Sequence, residues 1–454
     1  MAHSGSMEDR QAIQWIMGIL VGFSSRVFGW STSNRTMSGY YRAETIPPWL
    51  CWTWTPSSLD TRPHRLFGLV QVFHRLMDFA LTQDQEMIRA TAEAFLADAS
   101  PSAAVRQAMQ TVSGFDVNTW NRIGEELGWC ATAIPEELGG LGLTIIEQAI
   151  LMEQMGRRLF CSPYFATACL AATALLQVGT SAARQRHLPA IAAGTLTAPL
   201  AFGERGLDWH PTTVTAIATP TSDGYRLSGR FQHVPDGASA RLLLLPGRIA
   251  GENDVSLFAV PADSSGVEKL PHVTIDATRR LAEVRLNEVR IEVEAMVSME
   301  GGIGEGLART SAFAAIALAA EQLGGAQQCL DMTLAYIAER RQFGRSIASF
   351  QAVKHRCAEA MVRIEAARSA VLGAACAIVA SPTTSNLLLE SACAKALASD
   401  CFFHCAAEAV QLHGGVGFTW EYDPHLYLKR AQASSQWLGS SDTLRERVAA
   451  IVLD

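Results

Sequence analysis

Residues 413–421 read HGGVGFTWE, with Gln411 just ahead of them and Trp437-Leu438-Gly439 a short way downstream. The block closes a long apolar run of helical period. Paired glycines such as Gly414-Gly415 let a backbone approach a ligand where a Cβ would clash. The same pair also serves a plain helix C-cap. What surrounds the block decides between these uses.

On both sides the apolar period is 3.6. Leu323, Leu330, Leu334 and Ile337 share one face, and Val353, Cys357, Met361, Ile364 and Val371 another. Further helices are predicted over 386–412 and 426–452. Together they predict a C-terminal four-helix bundle over 299–454, entered by a Gly301-Gly302-Ile303-Gly304 hinge.

Over 195–298 the period is two. Asp223-Gly224 signals a hairpin between strands at 214–219 and 225–231. Residues 242–245 are wholly apolar. Val284 and Leu286, then Val289, Ile291 and Val293, alternate on either side of Asn287-Glu288, read as a short turn. These signals predict a small antiparallel β domain. Over 77–194 the helical period returns. Thr82 and Gln85 form a capping box before Ile88, Ala92 and Phe95. Residues 128–142, GWCATAIPEELGGLG, form a loop, and Ile146, Ile150 and Met155 mark the next helix. The fold class is mainly α with a small middle β domain.

Residues 1–76 hold half of the ten tryptophans, among them Trp15, Trp30 and Trp49, yet keep no period. Their apolar run, 16–23, falls short of the roughly 20 residues that span a bilayer. Acidic Glu8 and Asp9 precede it, unlike a signal peptide. The segment is expected to be an extension without its own fold, and Met77 reads as a natural start. Neither a membrane span nor a membrane partner is expected.

The 454 residues call for two or three domains. A hydrophobic share of 49% and a charged share of 18% exclude a disordered or coiled-coil class. The net charge of −7 argues against nucleic acid, which needs a basic face. Ten cysteines show no paired spacing, and Cys401-x-x-x-Cys405 lacks the further ligands of a zinc site. They read as packed thiols of a cytoplasmic protein, with no metal.

Three stretches resemble the acyl-CoA dehydrogenase family. Residues 339–355, ERRQFGRSIASFQAVKH, resemble its R-x-x-FG…FQ block. Residues 413–422 with Gln411 resemble its Q-x-x-GG-x-GF block, and residues 135–143, PEELGGLGL, the loop after its first helices. The resemblance runs from Met77 to the C-terminus. It implies α,β-desaturation of an acyl-CoA thioester with FAD, shared across a subunit interface. A carboxylate takes the α-proton and the β-hydride goes to the flavin. Arg340 would meet the pyrophosphate, where a guanidinium fork suits phosphate oxygens. Gln342, Phe343 and Gln351 would line the cofactor nearby, and Gln411, Gly414 and Gly415 its other end. Gly439 and Ser440 follow the base position beside the cofactor.

The β domain departs from the family pattern. A T-E-P-x-A-G-S-D-like loop is matched by residues 202–206, FGERG, without proline or hydroxyls. A W-I-T-like strand that backs the flavin is matched by Gln232-His233-Val234. A lone strand histidine is more often structural than catalytic.

The larger departure concerns the base. In the family it precedes a glycine in the last helical segment, which here is Leu438 before Gly439. Some relatives place it earlier, at a position matched by Ala314. Neither side chain accepts a proton, so the catalytic base is unassigned. The Leu438 N–H could still polarise a thioester carbonyl. Asp442, Glu305 and Glu321 remain as weak candidates, with Asp442 equally placed to cap a helix; Glu421 reads as structural.

The resemblance therefore implies an FAD-dependent oxidoreductase acting on CH–CH groups, in fatty acid or steroid catabolism. The substrate would be an acyl-CoA and the acceptor an electron-transfer flavoprotein or similar. The assembly would be a homo- or heterotetramer, the latter with a sister subunit that carries the glutamate. Alternatives are a non-catalytic partner that binds flavin or acyl-CoA, and different flavin chemistry on the same fold.

Overall fold

A computed structural model describes residues 80–204, 210, 213–299 and 303–453. The 1–76 extension, the Gly301-Gly302 part of the hinge, and Arg205 and Gly206 lie outside the described residues.

Helix α1 (Gln83–Ala99) opens on the predicted capping box: the Gln85 N–H donates to Thr82 Oγ1 (3.2 Å) and the Thr82 N–H to Gln85 Oε1 (3.0 Å). Short α2 (Ser102–Ala108) and α3 (Val117–Asn121) follow. Helix α4 (Ile145–Arg157) starts on a second capping box, Thr144 with Glu147. A π-helical stretch, Phe165–Ala171, runs into α5 (Ala172–Val178), and α6 (Ser181–Ala192) completes the first helical group.

Six strands form one sheet: β1 (Ile217–Pro220), β2 (Gly224–Pro235), β3 (Leu242–Ile249), β4 (Val255–Pro261), β5 (Val267–Pro271) and β6 (Leu281–Glu292). Their order is β4-β3-β1-β2-β6-β5. All neighbours are antiparallel except β1 and β3, which meet over a short parallel register. The Asp223-Gly224 hairpin is present, with Pro220 opposite Tyr225. The turn expected at Asn287-Glu288 is not: β6 runs straight through it. Glu288 sits at φ +52 opposite a register shift in β2, and its N–H donates to Ser228 Oγ (3.1 Å). A bulge inserts one residue and flips the alternation, so the sequence pattern imitates a turn.

Helix α7 (Gly304–Glu339) holds 36 residues, roughly 54 Å of rod. It packs on α4 so closely that a Cβ at Gly324 would lie 1.8 Å from the Glu153 carbonyl oxygen. A small hairpin, β7 (Arg341–Gln342) and β8 (Arg345–Ser346), leads to α8 (Gln351–Ala380) and α9 (Thr384–His413). The helix expected over 426–452 is two helices, α10 (Pro424–Ser435) and α11 (Ser441–Leu453), which together fill the fourth place of the bundle. The break is left-handed: Leu438 at φ +59 and Gly439 at φ +107. A Cβ on Gly439 would also meet Leu444 Cδ2 at 3.0 Å. Trp437 and Leu438 are both buried, so the apolar period passes through the break unmarked.

The main core joins the first helical group, the inner face of β3 and β4, the Ala-rich part of α7 and the Trp437-Leu438 turn. Among the described residues every cysteine is a free thiol, no helix is long and apolar enough to cross a membrane, and no three metal-ligating side chains converge.

Candidate functional site

The Trp437-Leu438 turn is held from one side by aromatic rings and a cation. Trp437 lies 5.6 Å from Phe165 between ring centroids, tilted by 47°. The Arg279 guanidinium covers both rings, 5.1 Å from Trp437 and 4.9 Å from Phe165. Its Nη2 donates to Glu321 Oε1 at 2.7 Å, with side chains only 9% and 3% exposed. Beyond Glu321 lies Arg430, fully enclosed, bonded to Asp276 Oδ2 (2.9 Å), Thr278 and Glu321. This hub ties the segment before β6 to α7 and α10. Nearby Asp236 is buried, and burial pushes its carboxyl up to about 7 against the pull of Arg279, Arg430 and Arg280.

Two donors here lack acceptors. Arg279 Nη1 is buried with no partner among the described residues, as is Glu321 Oε2 on the acceptor side. Leu438, 2% exposed, has an N–H with no hydrogen-bond acceptor among them either. Buried N–H groups are rarely left so.

Leu438 also lines a cavity of about 280 Å³ between α7, α9 and α11. Ala308, Ala312 and Ala315 form one wall, Leu388 and Ile451 others. Its polar groups are Arg447, Ser391 and Ser311, whose buried Oγ has no partner among the described residues. No carboxylate lines it among the described residues. Ala314 is wholly buried in α7. Asp442 points into solvent, its side chain 97% exposed and near Arg445. Helix α11 is capped instead by Ser440, whose Oγ accepts from the Thr443 N–H (3.3 Å). Glu305 is exposed and accepts from Thr384 Oγ1 (2.6 Å), while Glu321 is locked in its ion pairs. The carboxylate candidates thus lie outside the cavity, in solvent or in a structural pair.

The far end of α7 is built differently. Arg340 caps the helix through its N–H to the Tyr336 carbonyl (2.9 Å). Phe343 and Gly344, at φ +51 and +77, make the β7–β8 turn, and Phe343 stands 92% exposed. Gln351, exposed, begins α8. On α9, His413 stacks on Tyr336 (4.3 Å, 20°), and its Nδ1 shares a 2.6 Å hydrogen bond with the Ala409 carbonyl. Gly414 then turns at φ +65, and a Cβ on it or on Gly415 would meet nothing within 4 Å. Tyr336 therefore brings the 339–355 and 411–422 blocks together. Arg340 and Arg341 are exposed and meet no carboxylate among the described residues. Open glycine backbone beside free guanidinium groups fits a dinucleotide with a pyrophosphate.

In the β domain Phe202 is buried and the Glu204 N–H donates to the Thr213 carbonyl (2.9 Å). His233 sits at φ +55 beside His272, ring centroids 5.3 Å apart; burial, helped by His272, holds its imidazole below the usual range. Its Nδ1 is buried without a partner among the described residues. Sequence reasoning missed Arg279, Phe165 and Trp437 as one stack. The only signal was the Arg279-Arg280 pair ahead of an apolar strand.

The family described as acyl-CoA dehydrogenase, N-terminal domain, matches residues 82–195, and acyl-CoA dehydrogenase, C-terminal domain, matches residues 307–453. The chain is similar to acyl-CoA dehydrogenase IpdE2 of Mycobacterium tuberculosis, 35% identical over 370 residues, covering 82% of this chain and 98% of that one. It is similar in structure to the ChsE4-ChsE5 complex of Mycobacterium tuberculosis: TM-score 0.75, 25% identity, 83% of this chain and 99% of that one. Butyryl-CoA dehydrogenase of Megasphaera elsdenii shares the fold, with a TM-score of 0.75, 24% identity and coverage of 83% and 100%.

Proposed function

Because the chain belongs to the acyl-CoA dehydrogenase family, oxidoreductases acting on CH–CH groups, we propose that it is the base-lacking subunit of a heteromeric acyl-CoA dehydrogenase. One observation carries this reading. Both positions that supply the family's base are buried aliphatic residues, Leu438 and Ala314, and the cavity that Leu438 lines holds no carboxylate among the described residues. The thioester enters that cavity, and the Leu438 N–H polarises its carbonyl. The sister subunit supplies the glutamate for its own site. The substrate class is a bulky CoA thioester, such as a steroid side chain, and the two-component ChsE4-ChsE5 complex supports such an assembly. Three parts, 77–194, 195–298 and 299–454, make up the working protein, in the cytoplasm.

FAD, when bound, supplies a two-electron oxidant and passes electrons to an electron-transfer flavoprotein or similar acceptor. Arg340 holds its pyrophosphate; Gln342, Phe343, Gln351, Gln411, Gly414 and Gly415 line it, and Gly439-Ser440 flank its reactive end. These groups do not serve one cofactor within one chain. Ala315, on the cavity wall, and Arg340 are 25 residues apart on one helix, roughly 38 Å. No single dinucleotide bridges that separation, so Arg340 serves a flavin whose ring lies in a neighbouring subunit.

The test compares the chain alone with the chain co-expressed with a family member bearing glutamate at the Leu438 position. Acyl-CoA desaturation is followed with a ferricenium acceptor. Turnover is expected only from the pair; strong turnover by the lone chain would refute the reading.

A further inference from the structure

Among the described residues, Arg447 is the one charged side chain that lines the cavity with Leu438. It stands exposed on α11, and its Nη1 lies 3.7 Å from the place a Cβ on Gly439 would take. The guanidinium therefore sits beside the Leu438-Gly439 turn, within about 10 Å of the Leu438 N–H by backbone dimensions. The rest of the wall gives no counter-charge: Ala308, Ala312 and Ala315 are apolar, and Ser311 and Ser391 carry neutral hydroxyls. A positive charge beside low-dielectric walls focuses its field into the space they enclose. A pure hydrocarbon guest would strip water from the guanidinium without replacing its hydrogen bonds. A carboxylate would replace them with a fork of two charge-assisted bonds.

We propose that Arg447 is a specificity-determining residue, which selects acyl-CoAs whose acyl group carries a carboxylate of its own. This rests on the reading that the cavity takes a thioester with its carbonyl at the Leu438 N–H. Hydrogen bonds of about 3 Å at each end leave space for a chain of about two to four carbons between the carbonyl and the carboxylate. Arg447 makes and breaks no covalent bond. It decides which acyl group is seated, and a methyl-ended chain of the same length is held by the apolar wall alone.

Calorimetric titration of the full-length, FAD-loaded protein with glutaryl-CoA and with 4-methylpentanoyl-CoA tests this. The two ligands match in length and branching and share every CoA phosphate; only the first ends in a carboxylate. Wild type is expected to bind glutaryl-CoA about tenfold or more tightly than 4-methylpentanoyl-CoA, the effect of one charge-assisted pair. Arg447→Met should weaken glutaryl-CoA until the two Kd values agree within about threefold. Arg447→Lys keeps the charge without the fork and should retain only part of the preference. A full preference in Arg447→Met overturns the proposal, as does equal weakening of both ligands in that variant, which would make Arg447 structural. Wild type that binds both acyl-CoAs alike sinks this inference alone. Wild type that binds neither sinks the thioester reading itself.

Discussion

The two ends of α7 make opposite kinds of surface. Near its start, Ala308, Ala312 and Ala315 line a largely apolar cavity with Leu438, and the buried Arg279 and Arg430 nearby are ion-paired. At its end, Arg340, Phe343 and the Gly414-Gly415 backbone stand open, with charge unpaired and aromatic surface uncovered. The first end is walled by side chains of this chain, and the second leaves its groups exposed. On the proposed reading, a single helix carries a pocket and, a fixed distance away, a contribution to a different pocket.

Substitutions can separate the two ends. The largest effect is expected from Leu438→Glu, which restores a carboxylate at the cavity. Desaturation by the lone, FAD-loaded chain should rise by roughly 10²-fold or more, the usual share of a positioned base. Turnover left at background would show that the cavity is not the thioester site. Next come two arginines, one at each kind of surface. Arg430→Met strands Asp276 and Glu321 in the core and should cost about 3–5 kcal/mol in urea unfolding. Arg340→Ala should cost under about 0.5 kcal/mol, because it breaks no buried pair. Equal losses would erase the distinction between the ends. The same Arg340→Ala protein should hold flavin about tenfold more weakly, the value of one charge-assisted bond, read as 450-nm absorbance per subunit.

The smallest effect is a pH dependence at the open end. Burial holds the His413 imidazole below its usual range, where it stacks neutral on Tyr336. The unfolded chain therefore binds the proton more readily, near pH 6.5. The stability that His413 lends is full above that value and is lost as pH falls through it. Acidifying from about pH 7.5 to about pH 5.5 should lower the Tm of wild type more than that of His413→Asn. His187, His233, His404 and His425 are depressed likewise, so the variant should keep part of the wild-type slope.

Local signals were legible and distant ones were not. The capping box at Thr82-Gln85 and the hairpin at Asp223-Gly224 are each settled within four residues, and sequence alone located them. The Glu288 bulge and the Leu438-Gly439 break were misread because burial continues across both: Leu286 and Val289 stay inside, as do Trp437 and Leu438. A period counts buried residues and does not sense a left-handed φ between them. The Arg279–Glu321–Arg430 hub joins residues 42 and 109 positions apart, so no window of sequence contains it. The motifs named the open end of α7 through residues that need no partner in this chain. They marked the other end only by what is missing there, the aliphatic Leu438 and Ala314 where the family's base would stand.

Leu438 keeps a backbone shape that costs a non-glycine residue about 1–2 kcal/mol, and its N–H has no acceptor among the described residues. Of the two burdens, a ligand lifts only the second. A carbonyl that accepts that N–H would relieve an unsatisfied donor, worth about 1–3 kcal/mol. The turn should therefore behave as an occupancy gauge: heat resistance would report a seated thioester even in a chain that turns nothing over.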